Sequence, residues 1–179
     1  NKEILREALF YPGVNVEVYQ AHDDNTHQIK DIESLIERKV DLLIVAPNEA
    51  EAITPVIEKA YDAGIPVILV DRKINSKKYT AYVGADNYEI GRKAGEYIAD
   101  RLGGKGRVIE ITGLRGSTPA VERHRGMMEA LKAVPGVQVV ASAEAGGFRQ
   151  KAGEVMDTLL EAHPQVNLVF AQNDRMAIG

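Results

Sequence analysis

Asp71 and Arg72 stand side by side at the end of the apolar run Val67-Ile68-Leu69-Val70. In open α/β sheets, ligands bind at the carboxyl ends of the strands. A carboxylate there accepts two hydroxyl protons, and a guanidinium donates several hydrogen bonds in a fixed fork. Adjacent opposite charges therefore suit an uncharged, polyhydroxylated molecule such as a sugar. A strand-end salt bridge between the two is the competing reading, because exposed ion pairs are common and contribute little.

Polar residues follow the other apolar runs too: Asn48-Glu49, Asp86-Asn87, Arg115 to Thr118, Phe148-Arg149 and Asn173-Asp174. Loops are polar in any protein, so the informative feature is their shared place at one end of the strands. Phe148 follows Gly146-Gly147 in a chain that is only 6% aromatic. It either folds back into the core or offers its face to the C–H surface of a sugar ring. Gly113-Leu114-Arg115-Gly116-Ser117-Thr118 opens a helix but lacks the Lys-Ser/Thr ending of a P-loop and the G-x-G-x-x-G spacing of a dinucleotide fold. Ser117 and Thr118 are better read as caps for the helix entered at Pro119. His22-Asp23-Asp24 with His27 offers metal-ligand residue types at no recognised spacing, so no metal is implied. No nucleophile elbow, thiol or paired-carboxylate signature appears. The reading is non-enzymatic, without a cofactor.

These residues are positioned by an alternation of short apolar runs with helical periods. Ile4, Leu5, Ala8 and Leu9 mark an opening helix, and Val14 to Tyr19 alternates like a half-buried strand. Asn25 or Thr26 can cap a helix with Ile29, Ile32, Leu35 and Ile36 on one face. Strand Leu42–Val45, a helix with Ile53, Val56, Ile57 and Ala60, and strand Val67–Val70 come next. A second series runs through strand Tyr82–Gly84, helix Tyr88–Leu102, strand Val108–Ile111, helix Pro119–Ala133, strand Val137–Ala141, helix Gln150–His163 and strand Leu168–Phe170. Such alternation predicts βαβ units and parallel sheets, an α/β fold.

The 179 residues carry a net charge of -4, with 45% hydrophobic and 27% charged residues and no cysteine. That balance gives no basic footprint for nucleic acid and no disulfide framework. No apolar run approaches the ~20 residues of a membrane span. Both ends are abrupt: the chain opens on a helix with no strand before it and stops in what reads as a first helical turn at Met176 to Gly179. A fragment of a longer protein is expected.

Four segments carry a family resemblance: Val67 to Arg72; Gly84-Ala85-Asp86-Asn87 with Gly91 and Gly95; Glu122-Arg123 with Gly126; and Phe170 to Asp174 with Met176-Ala177. Together they resemble the type I periplasmic sugar-binding proteins, the group that includes ribose-binding proteins and the ligand domains of LacI-type repressors. Tyr79 to Gly91 and Thr112 to Ala120 are similar to the periplasmic sensor domains of hybrid two-component systems, a fructose-sensing one in particular. The resemblance implies two α/β lobes that close on a monosaccharide, here 1–86 and 87–179. The first lobe would lack its first strand and the second its C-terminal part. Asp71 and Arg72 would bind hydroxyls from the first lobe, and Arg123, Phe148 and Asn173 from the second. Asp86 would lie where the chain crosses between lobes. His124 and Arg125 would face solvent. The family's Asn is Ala46 here, and Asn48 or Glu49 would substitute for it. Partners would be a membrane-attached signalling region or a permease in the periplasm, with a homodimer left open. A repressor core in the cytoplasm is the alternative from another class.

Overall fold

The computed structural model of the chain describes residues 2–179. Its elements run α1 (Lys2–Ala8), α2 (Asn25–Glu37), β1 (Leu43–Val45), α3 (Ala50–Asp62), β2 (Val67–Val70), β3 (Ala81–Val83) and α4 (Asn87–Arg101). They continue with β4 (Gly106–Thr112), α5 (Thr118–Leu131), β5 (Val137–Glu144), α6 (Arg149–Ala162), β6 (Leu168–Ala171) and α7 (Asp174–Ala177). Two parallel sheets form, ordered β1-β2-β3 and β5-β4-β6. The α/β fold with helix-flanked parallel sheets is as expected.

In the first sheet Leu43 pairs with Val67, and Leu69 in turn with Tyr82. Val67 and Leu69 point into a core shared with Ile53, Ile57 and Ala60 of α3, all fully buried. Fully burying such a branched side chain stabilises by about 1.5–3 kcal/mol. This packing, and not strand length, holds the four-residue β2 in place. In the second sheet β4 is central. Val108 packs against Ile98, Met127 and Leu131 on one face, and Ile109 and Ile111 against Ala152 and Met176 on the other. Helices α4 and α5 meet through Gly91, Gly95 and Gly126. A Cβ on Gly91 would strike the Arg123 carbonyl, and one on Gly126 the Tyr88 carbonyl. The backbones of the two helices are in contact.

Three local expectations change. Val14–Tyr19 belongs to neither sheet. A groove of about 890 Å³ separates it from the free edge of β1, where Ile44 is 46% exposed. Its apolar residues stay largely exposed, Val14 at 56% and Val18 at 38%, and alternation makes no ladder without a neighbouring strand. Arg38 of the α2 terminus ties it down instead, through Glu17 at 2.5 Å and the Tyr19 hydroxyl at 2.7 Å. Asp24, not Asn25 or Thr26, caps α2, its carboxylate accepting from the His27 N–H at 2.9 Å. Neither Ser117 nor Thr118 caps α5 with its side chain: the Ser117 hydroxyl donates back to the Leu114 carbonyl, and Thr118 Oγ1 accepts a bond from Lys73.

Candidate functional site

Asp71 follows the last residue of the central strand β2 and adopts a left-handed backbone, φ 65°. Few residues other than Gly take that conformation readily, and Asp and Asn are among those that do. Two backbone bonds hold it: its N–H donates to the Val83 carbonyl at 2.9 Å, and its carbonyl accepts from the Tyr82 hydroxyl at 3.0 Å. The carboxylate makes no hydrogen bond or ion pair among the described residues and is exposed at the groove.

The Asp71–Arg72 salt bridge is not formed. Arg72 turns instead to the loop after β1, where Nη1 donates to the Asn48 carbonyl at 2.8 Å and to Asn48 Oδ1 at 3.2 Å. Asn48 is only 5% exposed, and its amide is fully engaged. Besides Arg72, it donates to the Asp23 carbonyl at 3.0 Å and Asn25 Oδ1 at 2.8 Å, while its N–H reaches Gln28 Oε1 at 2.9 Å. Asn48 therefore orients Arg72 and offers no free group of its own. Asp71, Arg72 and Asn48 line the same groove, together with Ala46.

A second group forms at the strand ends of the other sheet. Arg123 of α5 donates from Nη1 to the Gln172 carbonyl at 2.7 Å and from Nε to Asn87 Oδ1 at 2.9 Å. Nη2 has no partner among the described residues. Asn173 follows Gln172 and caps α7, its Oδ1 accepting from the Met176 N–H at 2.9 Å. The Asn173 amide nitrogen lies beside Gly147, and Phe148 is 48% exposed, under the Arg175 guanidinium at 5.9 Å. Of the two readings for Phe148, the ring is outside the core. Arg123, Asn173 and Phe148 are thus brought together, linked through Gln172 and the Gly146-Gly147 turn.

Asp86 is set apart. Its carboxylate caps α4, accepting from the Glu89 N–H at 2.9 Å, and it lines a smaller cavity of about 460 Å³ with Lys73, Tyr82, Glu122 and Arg125.

The two sheets face each other through these loops. The Lys73 N–H donates to Thr118 Oγ1 at 2.8 Å, Lys73 Nζ to Glu122 at 3.1 Å, and the Ala50 N–H to the Gly116 carbonyl at 3.2 Å. Sequence reasoning did not see this bridge, because neither partner is unusual alone. Burial pulls the Lys73 amine down, but the Glu122 hydrogen bond and charge outweigh it and hold the amine above its ordinary 10.5. A raised lysine contributes its full stability below 10.5 and loses it as pH rises through the raised value. Melting temperature is expected to be insensitive to this group between pH 7 and 9. Above about pH 10.5 the wild type should lose more stability than Lys73→Met; parallel melting curves there would remove the bridge from the account.

His124 is exposed, as expected, but it also has an inward contact: its Nδ1 lies 2.7 Å from the carboxylate of Glu110, which is completely buried in β4. The one available signal was a charged residue inside the apolar run Val108-Ile109-Glu110-Ile111, since parallel strands covered on both faces are otherwise apolar.

Comparison with known proteins agrees with this architecture. The family model for the periplasmic binding protein domain matches residues 2–179. The ribose import binding protein of Bacillus subtilis is 36% identical over 93% of the chain, and that of Escherichia coli 35%. A solved structure described as the fructose binding periplasmic domain of a hybrid two-component system is 55% identical and superposes with a TM-score of 0.93 over 98% of the chain. A solute binding protein from Bacillus halodurans with bound myo-inositol gives 28% and 0.93 over 99%. The chain spans 54–56% of the two ribose relatives and 59–62% of the two solved structures. The chain belongs to the periplasmic binding protein domain family, and to the type I sugar-binding group within it.

Proposed function

We propose that this chain is the ligand-binding segment of a periplasmic, non-catalytic monosaccharide receptor, with fructose as the favoured ligand. Its two sheet units, divided near Asp86-Asn87, close on the sugar, and closure is passed to a membrane-attached signalling region. The observation that carries the reading is the Asp71 carboxylate, left without a partner on a left-handed turn at the end of the central strand. Such a group accepts two sugar hydroxyls without first breaking an internal bond. Arg72, steadied by Asn48, and Arg123 through Nη2 donate to ring or hydroxyl oxygens. The Asn173 amide adds a donor, and Phe148 stacks on a C–H face. Asn48 is assigned to holding Arg72, and Asp86 to capping the helix that begins the second unit. Fructose and the signalling context rest on the 55% identity to the fructose-binding sensor domain. A transport-binding role feeding a permease is the second reading, supported by the ribose import proteins at 35–36% identity.

A thermal-shift panel of fructose, ribose, glucose, galactose, xylose and arabinose tests the proposal. A sugar at 100 times its Kd adds about 2.7 kcal/mol, a shift of several degrees. A response to fructose alone supports the favoured ligand, a response to ribose alone supports the transport reading, and a flat panel removes the sugar. Phe148→Ala is expected to weaken binding by about 1 kcal/mol, roughly fivefold, with little change in melting because the ring lies outside the core. Lys73→Met touches no proposed sugar contact but removes a bridge between the two units. It should weaken binding only about two- to threefold, since a partly exposed pair is screened by solvent, and the difference should shrink in high salt.

A further inference from the structure

The second sheet buries a carboxylate that the proposed sugar contacts do not use. Glu110 lies in the middle of β4 with no exposure to solvent. Burying a charge there is costly unless every oxygen is matched. Its oxygens meet donors from three other elements: His124 Nδ1 of α5 at 2.7 Å, the Ser142 hydroxyl of β5 at 2.9 Å, and the Gln172 amide beyond β6 at 2.9 Å.

Gln172 is the hub of this network. Its amide nitrogen also donates to the Ala120 carbonyl at 3.1 Å, and its amide oxygen accepts from the Gly113 N–H at 3.0 Å. Its own N–H donates to the Ile111 carbonyl at 3.0 Å, and its carbonyl accepts the Arg123 guanidinium at 2.7 Å. Arg123 then reaches Asn87 Oδ1, and Asn87 Nδ2 reaches the Ala85 carbonyl at 3.3 Å. A continuous chain of hydrogen bonds therefore runs from the buried carboxylate, past the peptide bearing Asn173, to the segment joining β3 to α4.

We infer that Glu110 is a positioning residue for the sugar site, acting through Gln172 to fix Arg123 and Asn173 in one geometry; the inference rests on the sugar-binding reading of that site. Without Glu110 the Gln172 amide keeps only its bonds to Ala120 and Gly113, and the residue whose carbonyl holds Arg123 is held less firmly. A fully matched buried network holds one arrangement, and a half-matched one does not. The tie between Gln172 and Glu110 is what keeps two contacts from different elements in register.

The test uses the full chain and two variants. Glu110→Leu keeps the side-chain size but removes both acceptor oxygens, whereas a Gln could turn its NH2 to His124 and Ser142, which can both accept, and keep the Gln172 bond. Ser142→Ala removes one donor to Glu110 and leaves Gln172 untouched. Titration calorimetry with D-fructose and D-ribose is run beside urea unfolding followed by circular dichroism. Glu110→Leu is expected to bind the sugar that wild type binds at least tenfold more weakly while still fully folded. Ser142→Ala should unfold at lower urea with affinity kept within twofold. Unchanged affinity in folded Glu110→Leu overturns the inference, and so does an equal affinity loss in both variants. Hydrogen exchange at the Arg123 Nε–H, its NMR signal identified by loss in Arg123→Lys, needs no sugar. It should be slow in wild type and much faster in Glu110→Leu. A wild type that binds neither probe counts against the sugar reading alone; unchanged Arg123 exchange in the variant overturns the positioning role by itself.

Discussion

Asp71→Asn is expected to lower sugar affinity by about 3 kcal/mol, roughly 100-fold in Kd, while leaving the melting temperature within about a degree or two. Hydrogen bonds to a charged group contribute about 1.5–3 kcal/mol each, and this carboxylate is positioned to accept two. Stability should hold because the carboxylate has no partner inside the described chain to lose. Asn is the informative substitution here. Residue 71 sits at φ 65°, where Asn is tolerated but Ala adds strain of about 1 kcal/mol, so an Ala variant would mix backbone with chemistry. Calorimetry with the sugar identified by the thermal panel decides it. Affinity within threefold of wild type would remove Asp71 from the site and leave Arg72 and Arg123 as the remaining anchors.

Gly91→Ala is expected to be the most damaging small change in the molecule. On an isolated helix the substitution would stabilise by about 0.8–1 kcal/mol through helix propensity. Here the new Cβ meets the Arg123 carbonyl, which is backbone and cannot rotate away. The helices α4 and α5 must separate, and overpacking of this kind costs typically 1–3 kcal/mol and occasionally more. A net loss of about 3 kcal/mol corresponds to a fall in melting temperature of roughly 6–12 °C for a chain of this size. Sugar affinity should fall too, because Arg123 would be pulled off Asn87 and the Gln172 carbonyl. A melting temperature equal to or above wild type would show that the two helices adjust without strain.

Chain composition and periodicity were enough for the α/β class, for the apolar strands read at Leu42–Val45 and Val67–Val70, and for the strand-end location of Asn48, Asp71, Arg72, Asp86, Phe148 and Asn173. Those features are local: apolar spacing reports which face of a segment is covered, whatever covers it. The type and place of Asp71, Arg72, Phe148 and Asn173 were legible for the same reason, whereas Arg123, inside α5, was marked only by the family resemblance. Partner choice was not. Val14–Tyr19 alternates like a strand and pairs with none, because a groove lies beside it where a ladder would be. Asp71 and Arg72 are sequence neighbours of opposite charge, yet Arg72 bonds to Asn48, 24 positions away, which leaves the carboxylate free. Asn48 is buried with its amide committed to Asp23 and Asn25, partners more than 20 positions away. His124 reaches Glu110, 14 positions earlier, and Lys73 reaches Glu122, 49 positions later. Only tertiary structure decides such matters, because a polar side chain takes the partner that packing brings within about 3 Å, and packing is set by segments far apart in the chain.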